Sequence, residues 1–299
     1  MNHISYLKKN NFTPSLLNKK KLKDLSKNGY CLIKSEKKFW EWIDSNPKKI
    51  RNVVDKLLKI EGLKAGSEGK EKFTIKKGQS LEPGTNRLSN LLNKDKVFRK
   101  ISTYPDFIFF AKEIIKKEFK ISAVEFREPK KNYKKQALHI DWLPRKKRSD
   151  NFEMLLFFLY LDNSNSKNGA TKLVPKSHRK ISYPDFYGNV FKKFKNEITI
   201  NAKKGDILIL NANTWHRGGS NISGAKRGLL NVEYRNRKID QLLNLNKYLN
   251  KKTKSKLTNY EEYLYAVRKK DKKQKSDSFG PGQHRRNWLK KNPQYKYTT

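Results

Sequence analysis

The chain has 299 residues, 35% of them hydrophobic, with 16 Phe, 14 Tyr and 5 Trp, which supplies core material for one large domain or two small ones and excludes a disordered chain. Its 70 Lys and Arg against 28 Asp and Glu give a formal net charge of +42, so a polyanion is the first partner to weigh. The excess is mostly Lys and is spread along the whole chain, which fits codon drift in an AT-rich genome better than a nucleic-acid footprint clustered on one face.

Lys8 and Lys9 precede no apolar run, so no signal peptide is visible and a cytoplasmic location is the expectation. Residues 15–27 read as a short basic helix that Asn28-Gly29 breaks, and 30–34 (YCLIK) reads as a strand. The sole cysteine, Cys31, lies in that strand, excludes an internal disulfide and reads as a buried thiol. Phe39, Trp40, Ile43, Ile50, Val54 and Leu57 fall near helical spacing and predict one helix over 37–62. The Gly-, Lys- and Ser-rich stretch 63–88, with Pro83-Gly84 inside it, reads as a loop, and 89–119 reads as helical again with an interruption near Pro105.

From 121 the pattern changes to short strands divided by turn residues: 121–126, 137–143, 151–161, 170–175, 197–201, 206–211 and 228–235. The longest apolar run, Met154 to Leu161, is too short to span a bilayer, so no membrane partner is expected. Many strands at short spacing predict a mostly β protein with flanking helices, a sandwich or jelly roll, and of the two a double-stranded β-helix (jelly-roll) core is the expectation. The expected organisation is one domain over 1–237, helical over 1–120 and with its β core over 121–237. A basic C-terminal extension follows over 238–299, partly helical near 240–250 and 258–270.

Chemistry concentrates in the segment Leu138-His139-Ile140-Asp141-Trp142. Side chains two apart on a strand share a face, so the His139 imidazole and the Asp141 carboxylate converge. His216 ends a segment in which the turn Lys204-Gly205-Asp206, a buried strand and a Trp-His step bring a second imidazole back. Two His and one carboxylate on one side of a metal leave neighbouring positions open, the arrangement of non-haem Fe(II) oxygenases. Arg227 follows eleven residues after His216 and opens the strand GLLNVEYR. A guanidinium there suits bidentate binding of a distal carboxylate, as 2-oxoglutarate requires. Alternation places Leu229, Asn231, Glu233 and Arg235 on the face of Arg227. Phe126 and Arg127 end the first core strand within reach of a substrate. Trp142 and Trp215 read as core walls, and His178, His3 and His284 as residues without a ligand role.

The chain resembles the phytanoyl-CoA dioxygenase family over roughly residues 22–236. The residues that carry the likeness are His139-Ile140-Asp141, His216, Arg227, Asn28-Gly29-Tyr30, Tyr104-Pro105-Asp106, Asn221, and the segment from Asn168-Gly169-Ala170 to Pro175-Lys176-Ser177-His178. The resemblance implies iron ligation by His139, Asp141 and His216 and 2-oxoglutarate binding by Arg227. It also implies O2 as co-reactant and a small organic molecule as the substrate, hydroxylated with release of succinate and CO2. The chain departs from the family pattern at Gly218, where many members carry a hydroxyl residue, and at Lys176, usually Gly. Because Asp141 is present, a halogenase, which gives up that carboxylate, is not expected.

Two other functions remain open on sequence. The net charge and the spacing Arg227, Asn231, Arg235 resemble the oxygenases that demethylate alkylated nucleic-acid bases; Arg227 at its distance from His216 fits the small-molecule family better. A catalytically inactive jelly-roll binding module is the other, and the intact triad argues against it.

Overall fold

The computed structural model describes residues 2–61, 84–145, 151–277 and 290. Helix α1 (His3–Lys9), outside the predicted elements, is capped by Asn2. Helix α2 (Leu16–Asn28) begins where the Ser15 side chain accepts the Asn18 amide and ends at Gly29, in the left-handed region at φ +84. Strand β1 (Tyr30–Ile33) follows directly. The helix predicted over 37–62 is two helices, α3 (Lys37–Ile43) and α4 (Pro47–Glu61). Asp44 turns left-handed at φ 51, and Pro47 disfavours helical geometry at Asn46 while serving as the first residue of α4.

Most of the predicted loop 63–88 lies outside the described residues, but its end is strand β2 (Thr85–Leu88). The helical stretch predicted over 89–119 resolves into a short 3-10 turn at Leu91–Asn93, α5 (Lys96–Ser102) and α6 (Pro105–Ile115), and by Phe119 the chain is already extended. The remaining strands are β3 (Phe119–Pro129), β4 (Met154–Tyr160), β5 (Thr171–Leu173), β6 (Ile198–Thr199), β7 (Ile207–Asn211), β8 (His216–Gly218) and β9 (Leu229–Asn236).

A six-stranded sheet in the order β1-β7-β4-β9-β3-β2 faces a three-stranded sheet in the order β6-β5-β8, and the strand pairings are antiparallel. Alternation along the strands separates two cores. Leu155, Phe157, Leu159, Ile209, Val232 and Tyr234 pack outward against α2, α5 and α6, whereas Leu156, Phe158, Tyr160, Leu208 and Leu210 meet Leu173 and Ile200 between the sheets. The helices thus cover one face of the large sheet, and the other face is the wall of the barrel interior. This antiparallel β core with flanking helices is the predicted fold class.

Past β9, the short helices α7 (Leu245–Tyr248), α8 (Lys251–Lys254) and α9 (Asn259–Tyr265) return to the outer core. There Leu243, Leu245, Tyr260 and Tyr265 are buried with Phe119 and Tyr234. No helix among the described residues is long and apolar enough to cross a membrane.

Candidate active site

The segment 137–143 is not the strand the sequence predicts. It makes one bridge, in which the His139 and His216 backbones exchange hydrogen bonds of 3.0 Å. On either side the amides go elsewhere: Leu138 donates to Val190 O at 3.1 Å and Asp141 to Ala212 O at 2.9 Å. The partners diverge, so no ladder forms, yet the alternation survives. Leu138 and Ile140 pack outward with Trp215, Val174 and Tyr183, and His139 and Asp141 face inward.

There they meet His216, which β8 places opposite Leu173 of β5. One donor atom from each of His139, Asp141 and His216 lies within 4.8 Å of the other two. Asp141 is 3.5 Å from His139 Nε2 through Oδ1 and 3.4 Å from His216 Nε2 through Oδ2. Each imidazole is oriented by its other nitrogen: His139 Nδ1 bonds Ala137 O at 2.8 Å and His216 Nδ1 bonds Thr214 O at 2.9 Å. A carbonyl accepts, so Nδ1 carries a proton, and each Nε2, once its own proton is released, directs a lone pair at the shared centre.

Burial alone would raise Asp141, but the charge of His216, its hydrogen bond and the charge of His139 hold the carboxyl well below the usual range. Burial, with His216 beside it, lowers His139; burial acts the same way on His216, but Asp141 outweighs it and raises that imidazole. A carboxylate and two convergent imidazole lone pairs fit a divalent first-row metal.

Arg227 is 6% exposed, and its guanidinium makes no hydrogen bond or ion pair with any described residue. Burial pulls its pKa below the ordinary value, with Tyr160 the strongest influence in the other direction. A buried cation that no described residue pairs directly is costly unless an anion joins it. Its surroundings are interior: Tyr160 pairs with Leu229, and its hydroxyl is 3.1 Å from Thr171 Oγ1 on β5, two residues before the partner of His216.

Tyr160 and Thr171 are residues of this interior that the sequence pattern did not single out. The alternation of MLLFFLY, which puts Tyr160 on the face of Phe158, is the signal that marks Tyr160. Gln136 is another. Its Oε1 accepts the Gly218 amide at 2.8 Å, and a Cβ at position 218 would stand 3.0 Å from that same oxygen. A side chain at 218 would therefore require the Gln136 amide to give by a few tenths of an ångström.

The inner face of β9 carries Asn231, Glu233 and Arg235, all buried, as the alternation predicts. Asn231 pairs with Phe158, whose ring lies 6.4 Å from that of His216, so this face looks toward the triad. Asn231 donates to Glu233 Oε1 at 2.9 Å, and Arg235 stacks 5.0 Å over Trp142, next to Asp141. Burial, with Glu125 close by, pushes the Glu233 carboxyl up to about 7. Arg127 acts on all three triad residues and sits 3.5 Å from Glu125, which Arg87 also approaches at 3.6 Å.

His178, in contrast, hydrogen-bonds Ser26 O at 3.2 Å, outside this site, and His3 stacks on Phe119 in the outer core. His284 lies outside the described residues.

The family profile described as "Phytanoyl-CoA dioxygenase (PhyH)" matches residues 25–229, more than half of the chain. Among solved structures, HygX from Streptomyces hygroscopicus with nickel and 2-oxoglutarate bound is 12% identical with a TM-score of 0.55, over 74% of this chain and 88% of that one. The α-ketoglutarate-dependent epimerase SnoN from nogalamycin biosynthesis is 15% identical with a TM-score of 0.54, over 74% and 81%. The carbocyclase SnoK of the same biosynthesis is 15% identical with a TM-score of 0.54, over 76% and 87%. At these identities the likeness is one of fold. No curated protein matches the chain.

Proposed function

The chain belongs to the phytanoyl-CoA dioxygenase family, whose chemistry depends on Fe(II), 2-oxoglutarate and O2, and from that premise we propose that it hydroxylates a small organic substrate, with His139, Asp141 and His216 as the iron ligands and Arg227 as the 2-oxoglutarate anchor. The observation that carries the reading is the convergence of three donor atoms within 4.8 Å, two of them imidazole nitrogens aimed by carbonyl bonds. When bound, iron and 2-oxoglutarate supply the oxidant: O2 is reduced as 2-oxoglutarate becomes succinate and CO2 and a substrate C–H becomes C–OH.

The protein contributes placement. His139 and His216, fixed through Ala137 O and Thr214 O, present Nε2 without needing to turn. Asp141 stays ionised and supplies the single negative charge of the set. Arg227 pairs with the far carboxylate of the cosubstrate, which satisfies its own buried guanidinium and sets which end faces the metal. The Tyr160 hydroxyl stands beside it as a further hydrogen-bonding group. Leu156, Phe158, Leu173 and Leu210 keep the interior dry, which protects the reacting centre from solvent.

Asn231 and Glu233 on the face toward the triad support a substrate with polar groups over a plain alkyl chain, because an alkyl chain would leave the buried Asn231 Oδ1 unpaired.

The test is iron- and O2-dependent succinate release, screened with metabolite fractions and followed by identification of the oxidised product. A product carrying one added oxygen is expected. His139→Ala is expected to lower 2-oxoglutarate turnover by more than about 100-fold, beyond what losing a supporting partner does. Turnover that survives that substitution would remove the triad assignment; a product isomerised or cyclised without added oxygen would remove hydroxylation.

A further inference from the structure

Arg217 follows His216 directly and is 2% exposed, on the outer side of the small sheet. Its guanidinium makes four hydrogen bonds to one loop. Nε donates to Glu197 Oε1 at 2.8 Å and Nη2 to Glu197 Oε2, while Nη1 donates to Val190 O and Nη2 to Lys192 O, each at 2.8 Å. Val190 O also accepts the amide of Leu138, at 3.1 Å. One carbonyl therefore joins the residue after one imidazole to the residue before the other.

This matters because the His139 segment forms no strand among the described residues. Its hydrogen-bonded ties are the bridge to His216, the Gln136–Gly218, Asp141–Ala212 and Asn213–Leu143 bonds on either side, and, at the residue just before His139, the Leu138–Val190 bond. Fork–fork pairing of a guanidinium with a carboxylate is geometrically exacting. Glu197 is held in turn: its pKa is lowered chiefly by the hydrogen bond from Arg217, against burial, and its Oε2 accepts the Phe194 amide at 3.0 Å. The loop carrying Val190 is thus fixed relative to β8, and through Val190 O so is the backbone that presents His139.

We propose that Arg217 is a positioning residue for the metal centre, setting the separation of the His139 and His216 imidazoles through the shared carbonyl of Val190. It touches neither metal nor cosubstrate. The inference rests on the triad reading only for its consequence in metal binding; its structural core concerns the metal-free chain.

Two readouts test it on the full-length protein. In the metal-free state, Arg217→Met is expected to speed amide hydrogen exchange at Leu138 and His139 more than at residues of β4 or β9. With Co(II) as the probe, the same substitution is expected to weaken binding roughly 10- to 100-fold and to change the shape of the visible ligand-field bands. His3→Phe, a substitution in the outer core, serves as the comparison for general loss of stability, with Co(II) affinity and band shape retained. Should Arg217→Met prove too unstable, Arg217→Lys keeps the charge but not the rigid fork, and smaller shifts in the same directions are expected.

Unchanged exchange at Leu138 and His139, or a loss of affinity with band shape intact, would overturn the proposal. Failure of the triad reading shows separately, as Co(II) binding that His139→Ala does not weaken.

Discussion

Arg227 is the residue whose environment demands a ligand most clearly, since a cation 6% exposed has no protein partner among the described residues. Charge-assisted hydrogen bonds to a carboxylate are worth about 1.5–3 kcal/mol, so Arg227→Met is predicted to raise KM for 2-oxoglutarate about 10- to 100-fold. Arg227→Lys restores the charge without the planar fork and should recover only a fraction of the loss. Steady-state kinetics with 2-oxoglutarate as the varied substrate decides this; an unchanged KM in Arg227→Met would move the cosubstrate elsewhere. Tyr160, close to Arg227, and Thr171 lie eleven residues apart and meet through a hydrogen bond across the barrel, and neither is a residue type that announces a site.

At the scale of elements, the passage from α2 to β1 links a helix of the outer core to the metal site. Gly29 holds φ +84, and a Cβ there would collide with Thr214 Oγ1 and His178 Nδ1. Its carbonyl accepts Thr214 Oγ1 at 2.8 Å and the Asn211 amide at 2.9 Å, and Thr214 O in turn orients His216. Gly29→Ala is therefore predicted to cost about 1–3 kcal/mol from the backbone alone, with further loss from the collision. Chemical denaturation measures it, and a loss below about 0.5 kcal/mol would contradict the packing described.

The same region shows what was legible from sequence. Asn28-Gly29 marks the end of a helix because only glycine takes that angle without strain, and His139-Ile140-Asp141 marks a site because parity survives even where no strand forms. Arg227 stands out as the charged start of an apolar strand. The break between α3 and α4 was signalled by Pro47 and masked by the apolar spacing on both sides of it. Strand β8, only three residues long, and the Gln136–Gly218 contact, 82 residues apart in sequence, depend on tertiary partners that local pattern does not carry.

Over the whole molecule, the two ends of the described chain meet. His3 stacks on Phe119 at 3.6 Å between ring centroids and its Nδ1 bonds the Tyr260 hydroxyl at 2.9 Å; Tyr6 stacks on Tyr260 at 3.6 Å. Helix α1 and helix α9 thus close over the edge of the large sheet. Burial lowers the pKa of His3 from 6.5 to about 3 and that of His178 from 6.5 to about 4. Both folded values lie below the unfolded one, so the unfolded chain binds more protons as pH falls below 6.5. Stability present above pH 6.5 is then lost toward the folded values, by up to about 1.4 kcal/mol per pH unit for each group. His3→Phe is predicted to flatten the fall between pH 6 and 5 by its own share, up to about 1.4 kcal/mol per pH unit. Denaturation curves across that window test it, and an unaltered slope would mean His3 is not held neutral in the fold.

With one ferrous ion and one 2-oxoglutarate held between His139, Asp141, His216 and Arg227, anaerobic titration of the Fe(II)-loaded protein with 2-oxoglutarate should develop the visible charge-transfer absorption of a chelated 2-oxo acid. The expected band saturates at one equivalent per chain, is absent in His216→Ala and needs far more 2-oxoglutarate in Arg227→Met. No band in the wild-type protein, or one undiminished in His216→Ala, would rule that arrangement out.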